Sequence, residues 1–349
     1  MSTAAGARRT ARRAPVAPPG HTAVEYLRPM LVLAALAAAP FTVSPYWLAI
    51  LNQTGIAVIG ATGLNILVGF TGQISLGQGG FLAVGAYTSG LLAARAGLPF
   101  PADILCAVLV TTAVGTLAGL PAARLKGLYL AIATLASQQI ILWTVTHWHA
   151  LTGGTSALAV PPATLLGRSL NSDLDWYWVI AACAALSLLT AAHLLRSGTG
   201  RALTALRGHG LATQATGIDP LRYKLLAFAI SSAFAGLAGA LTARYNLLVT
   251  WEPFTLNASI FYLAIIIIGG LGSVSGAVYG AAFMTVVPAW IAELSGSLTS
   301  MAFLKPDLPA VQQLIFGLTV ILFLIFEPRG IAQIWQRTKN YFLFWPCKY

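Results

Sequence analysis

The residues best equipped to handle a solute lie in one uncharged stretch, GFTGQISLGQGG, residues 69 to 80. Thr71, Gln73, Ser75 and Gln78 supply hydrogen-bond donors and acceptors that carry no charge. Five glycines, Gly69, Gly72, Gly77, Gly79 and Gly80, separate them. Glycine costs a helix interior about 1 kcal/mol relative to alanine, so the stretch reads as a break between helices. Further uncharged polar side chains sit in apolar surroundings at Asn52, Gln53, Asn65, Ser137, Gln138 and Gln139. This chemistry suits a neutral or zwitterionic solute, or a pore with little selectivity of its own. Of these residues, Asn65, Thr71, Gln73, Ser75, Gln78 and Gln138 are the candidates for lining a pathway. Close packing of helices through small residues accounts for the glycines equally well, and the two readings are compatible.

Groups capable of ionic or covalent chemistry are poorly placed for it. A phosphate-binding loop needs a lysine directly after glycine. Leu, Tyr, Leu, Thr and Cys precede Lys126, Lys224, Lys305, Lys339 and Lys348, so the chain has no nucleotide-hydrolysing site of its own. His147 and His149 flank Trp148 with no carboxylate or thiol beside them, which fits an interfacial belt better than a metal site. His193 and Glu293 fall near span ends, whereas a proton relay keeps an ionisable group at mid-depth. Ser156 has no paired base, and Cys106, Cys183 and Cys347 lack metal-type spacing. Neither catalytic nor metal-binding residues emerge, and no cofactor is expected.

The elements that hold these residues are membrane spans. The 349 residues are 57% hydrophobic and only 8% charged, against about 25% charged in a soluble domain. Mean hydropathy is +0.78. Residues 29–94, 127–167 and 253–292 contain no Asp, Glu, Lys or Arg. A span needs about 20 apolar residues, and ten fit, with cores near 29–45, 47–68, 77–95, 102–121, 127–147, 176–195, 225–243, 258–270, 277–294 and 309–326. The expected fold class is therefore all-α, a polytopic transmembrane bundle with glycine-broken helices. A second glycine break, GGLGSVSG, covers residues 269 to 276.

Orientation follows from the Lys/Arg bias. With the N-terminus inside, only Arg95, Arg168, Arg244 and Lys305 lie outside, leaving 16 of the 20 Lys and Arg on the cytoplasmic side. Of the nine acids, all but Glu25, Asp219 and Glu327 fall outside. Both termini are then cytoplasmic. The net charge of +11 reads as a topology signal, and no aromatic-interleaved basic patch marks nucleic acid. RRTARR before MLVLAALAAAP has some features of a cleaved leader, but its late apolar start favours an uncleaved first span. The layout is a disordered basic tail over 1–26, a membrane domain over 27–327, and a basic amphipathic tail over 328–349. A loop at 150–175 lies outside, and one at 197–224 lies inside.

The inner loop carries a helical pattern, RALTALRGHGLATQAT, with Leu203, Leu206, Leu211 and Ala215 toward one side and Gly217 at its end. It could dock on a partner or lie on lipid.

Four blocks resemble one family, the Liv-type membrane subunits of ABC importers for branched-chain amino acids. They are GLNILVGFTGQISLGQGGFLAVGAYTSG (63–90), the stretch from RALTALRGHG to AGLAGAL (201–241), IIIIGGLGSVSGAVYGA (265–281) and FEPRGIAQIWQRTKNYFLFWPCKY (326–349). The resemblance implies a subunit that forms half of a pathway for leucine, isoleucine or valine in the bacterial inner membrane. Its partners would be a sister permease, two cytoplasmic ATPases that bind the ATP, and a periplasmic or lipid-anchored solute-binding protein. It also implies that residues 206–217 form the ATPase-coupling helix, through Leu206, Arg207, Gly210, Leu211, Ala212, Ala215 and Gly217, with Asp219 beside it. The family often carries acids in this helix, where this chain has Gly210, Ala212, Gln214 and Ala215. The resemblance therefore implies the location of that contact and not its charges. A related urea or short-amide importer, an ATP-independent channel and a membrane-embedded enzyme are the alternatives; the last lacks a catalytic group.

Overall fold

The structure is a computed structural model, and it describes residues 40, 42–125, 127–165, 168–170, 172–208, 217, 219–297, 314, 317–321, 323, 325 and 330–333. The chain divides into Met1–Ser44 and Pro45–Tyr349, and all named elements belong to the second unit. Its helices are α1 Pro45–Leu64, α2 Gln78–Ala96, α3 Ala102–Ala122, α4 Leu128–His147, α5 His149–Thr152, α6 Asp173–Arg196, α7 Gly198–Gly208, α8 Pro220–Asn246, α9 Leu256–Gly269 and α10 Val274–Ser297. Helix α1 runs on as a π-helical turn, Asn65–Phe70.

Six of these are long and apolar enough to cross a membrane: Pro45–Phe70, α3, α4, α6, α8 and the 274–294 part of α10. The chain is a multi-pass helical membrane protein. The expected count of ten is not reached among the described residues, for identifiable reasons. Helix α2 has 19 residues, but its glycines and polar groups dilute its apolarity. Helix α9 has 14 residues, about 21 Å at 1.5 Å per residue, too short to span alone. The expected first and tenth spans, 29–45 and 309–326, lie largely outside the described residues, as do the two tails.

The expectation of an all-α fold needs a small correction. Strand β1 (Leu158–Ala159) pairs antiparallel with β4 (Leu248–Val249), and β2 (Thr164–Leu165) pairs with β3 (Arg168–Ser169). These ribbons satisfy backbone groups in the loops around the far end of the bundle, opposite α7.

Burial separates the centre from the rim. The apolar window of α1 is 78% buried and that of α6 only 17%. Helix α8 reaches the centre because six of the nine residues in its AFAGLAGAL run (233–241) are Ala or Gly. Gly236 lies against Gly85 of α2, and a Cβ there would sit 2.7 Å from the Thr111 Cβ of α3. The three backbones thus approach as membrane helices do when small residues line the crossing. Ile59, Leu64, Phe81, Leu241, Ile265, Ile266 and Ile268 fill the core around this crossing. A separate cluster of Ile66, Leu67, Ala122, Leu130, Ala191, Leu203, Ala227 and Phe228 closes the α7 end.

Candidate functional site

The two glycine breaks, some 200 residues apart in sequence, meet in space. Helix α1 ends in its π-turn, where the wider i→i+5 pattern precedes a change of direction. Thr71 Oγ1 then donates to Leu67 O at 2.5 Å, and Gly72 turns with φ +71°. Asn65, in the π-turn and buried, reaches across to the second break. Its Nδ2 donates to Ser273 O at 2.7 Å, and its Oδ1 accepts from Gly272 N at 2.9 Å. A Cβ at Gly69 would lie 2.5 Å from Gly272 N, so only glycine admits this clasp.

Helix α7 sits directly over the junction. It leaves α6 through a tight corner in which Ser197 Oγ donates to Leu194 O at 2.6 Å and accepts from Gly200 N at 3.3 Å. Leu203 is fully buried among the span ends of the second cluster. In the last turn of α7, Leu206 is half-buried and Arg207 is exposed, yet Arg207 Nη1 donates to Gly69 O at 2.6 Å. The Arg207 side chain occupies space that Cβ atoms at Gly72 or Gly272 would take, its Cγ 3.2 Å from one and Nη1 2.9 Å from the other. Gly210, Leu211, Ala212 and Ala215 lie outside the described residues. Gly217 has a left-handed φ of +80°; the helix it was expected to end lies outside the described residues. Asp219 caps α8, its Oδ1 accepting from Leu221 N at 3.0 Å. Lys224, one turn on, donates to Ala123 O at 3.0 Å and Leu125 O at 3.4 Å, beyond the end of α3.

A second polar node lies deeper in the bundle. Ser259 Oγ of α9 donates to Gln138 Oε1 of α4 at 2.7 Å and accepts from Gly79 N of α2 at 2.9 Å. Gln138 Nε2 donates to Phe254 O at 3.3 Å. Gln78 Nε2 donates to Gly60 O of α1 at 3.1 Å. Gln73 Nε2 donates to Thr71 Oγ1 at 2.8 Å, while its buried Oε1 has no partner. Ser75 Oγ accepts from Gly77 N at 3.3 Å. All six polar candidates, Asn65, Thr71, Gln73, Ser75, Gln78 and Gln138, are thus buried in the chain and brace its breaks. Their neighbour Gln139 is exposed and lines a cleft of about 670 Å³ with Trp143, Thr146, Trp251 and Thr255.

Sequence reading missed one centre, at the far end. Asp103, at the start of α3, and Arg244, at the end of α8, form an ion pair with Nε–Oδ2 2.7 Å, and both side chains are nearly inaccessible. Ser89 Oγ of α2 donates to the same carboxylate oxygen at 2.6 Å, and Arg244 also reaches Pro161 O at 3.0 Å. Arg244 and Asp103 were expected as separate outer-loop charges. Two opposite charges at the same end of adjacent spans were the available signal.

A bundle of apolar helices, two of them broken by glycine around uncharged polar groups, defines the class: a multi-pass membrane protein with the broken-helix centre of a permease. Residues 46–324 match the family model described as the branched-chain amino acid transport system permease component. The high-affinity branched-chain amino acid transport system permease protein LivM of Salmonella typhimurium is 34% identical over 89% of this chain and 76% of its own length. Its Escherichia coli counterpart is 35% identical over 88% and 74%. A probable branched-chain amino acid transport permease protein LivM of Methanocaldococcus jannaschii is 24% identical over 65% of this chain. No solved structure gives a significant match. This chain belongs to the branched-chain amino acid permease family.

Proposed function

We propose that this chain is the permease subunit of a binding-protein-dependent ABC importer for branched-chain amino acids, supplying half of the pathway. The observation that carries this reading is kinship with named permeases along nearly the whole bundle, breaks and α7 included. The buried polar side chains that brace the breaks, Asn65, Thr71, Gln73, Ser75, Gln78 and Gln138, carry no charge, which suits a zwitterion with an aliphatic side chain better than an ion-coupled carrier. The α7 end faces the cytoplasm, with ten spans and both termini inside, and two separate ATPases engage residues 206–217. A sister permease completes the pore, a periplasmic or lipid-anchored protein delivers the solute, and the bacterial inner membrane is the site of action. Thr71, Gln73, Ser75, Gln78, Asn65 and Gln138 border the pathway. Because they are buried here, the break between α1 and α2 must open for a solute to meet them.

The experiment is to co-express the chain with a sister permease, two ATPases and a binding protein of a branched-chain amino acid importer, then delete 206–217. Loss of ATPase co-purification and of ATP-driven leucine uptake is expected. Retention of both would overturn the reading, and preference for urea over leucine would move it to the short-amide branch of related importers.

A further inference from the structure

We infer that a groove between α2, α3 and α4 is a solute site on the outer side of the break, built for a small aliphatic molecule with a hydrogen-bonding head. The inference deepens the reading above and rests on it. The groove has a volume of about 300 Å³, at the small end of the range for ligand pockets. Helix α2 lines it with Val84, Tyr87, Thr88 and Leu91. Helix α4 lines it with Ile141, Thr144 and Val145, and Trp148 follows just past the helix end. Both sets repeat at i, i+3, i+4 and i+7, so each helix gives one face to the groove. Val114 of α3 and Leu151 of α5 complete its sides.

Tyr87 supplies the polar chemistry. Its side chain is buried, and its Oη has no hydrogen-bond partner among the described residues. A buried hydroxyl left unpaired is unfavourable, and native structures leave few such groups. The walls around it are aliphatic at Val84, Leu91, Val114, Ile141 and Val145, and none of the lining residues is charged. A hydrocarbon tail would suit these walls and leave the hydroxyl unpaired. A branched-chain amino acid satisfies both. Its side chain packs on the walls, and its carboxylate accepts from Tyr87 Oη in a hydrogen bond strengthened by the charge. Ile140, Trp148 and Leu151 line the groove and are exposed, so it opens at the bundle surface, where the sister permease proposed above would cover it. Tyr87 stands about 14 Å along α2 from Gln78, at 1.5 Å per residue, between the break and the far end. A solute arriving from outside therefore meets the groove before the break.

The test irradiates the full complex with photo-leucine, a leucine whose side chain carries a diazirine, and maps the adducts by mass spectrometry. Adducts are expected in 84–91 and 141–148, and excess leucine is expected to suppress them. Tyr87→Phe keeps the ring and removes only the unpaired hydroxyl. Its unfolding midpoint is expected at or above the wild-type value, while adduct yield at sub-saturating photo-leucine falls at least about tenfold, as for loss of a hydrogen bond to a charged group. A midpoint below wild type would overturn the inference, because the hydroxyl would then serve the fold. So would adducts confined to other segments, or full labelling of Tyr87→Phe. Labelling of the groove by a diazirine fatty acid that excess leucine does not displace would also overturn it and mark a lipid site. An unlabelled groove in a complex that imports leucine strikes this inference alone, whereas absence of ATP-driven leucine uptake in the wild-type complex strikes the function proposed above.

Discussion

Removing one partner of the Asp103–Arg244 pair is expected to destabilise the bundle by about 3–5 kcal/mol. The estimate follows from burial. The Asp103 side chain is 0% exposed and that of Arg244 3%, so solvent screens neither. With Asp103→Ala, the guanidinium keeps only the carbonyls of Pro161 and Leu98. With Arg244→Met, the carboxylate keeps only the Ser89 hydroxyl, and its Oδ1 already lacks a partner. Against a typical stability of about 5–15 kcal/mol, either loss is large. The double variant Asp103→Leu with Arg244→Met removes both charges and is expected to recover at least about 2 kcal/mol relative to the sum of the singles. Denaturant titration in detergent, followed by tryptophan fluorescence, gives the four free energies of the cycle. Single variants within about 1 kcal/mol of wild type, or a strictly additive double variant, would refute the reasoning.

Three further outcomes follow from the packing and the polar nodes. Asn65→Leu, of similar volume, strands Gly272 N and Ser273 O; it is expected to cost about 2 kcal/mol or more and to abolish leucine uptake, read by thermal unfolding and transport. Gln138→Leu removes the acceptor of Ser259 and the donor to Phe254 O, for an expected loss of about 1–3 kcal/mol by denaturant titration. Gly85→Val drives a branched side chain into the Gly236 backbone, and overpacking of about 1–3 kcal/mol should appear as a lower unfolding midpoint.

Much of this bundle was legible in the sequence because lipid demands long apolar runs. Helices α3, α4 and α6 begin and end within a few residues of their expected spans, since charges and prolines mark the ends. The GFTGQISLGQGG break was legible because glycine and amides are out of place in a regular apolar helix. Its geometry was not. The π-turn at 65–70 and the clasp of Asn65 on Gly272 depend on a neighbour 207 residues away. The sequence left lining and packing open for the polar candidates; each has a partner inside the chain, because buried polar groups must be satisfied wherever the fold permits. The family resemblance placed Arg207 in the coupling helix; only the fold brings its guanidinium to Gly69 O, between the two breaks. The Arg244–Asp103 pair was hidden for a related reason, as the rule that places cations in loops takes no account of pairing across helices.

The central claim is that this chain is a passive pathway driven by separate ATPases. The most direct measurement is leucine uptake into proteoliposomes, comparing the chain alone with the full complex and binding protein, with and without ATP. The account expects uptake only with the full complex and ATP, and no ATP hydrolysis by the chain alone. Leucine uptake by the chain alone without ATP, or nucleotide hydrolysis by the purified chain, would contradict it.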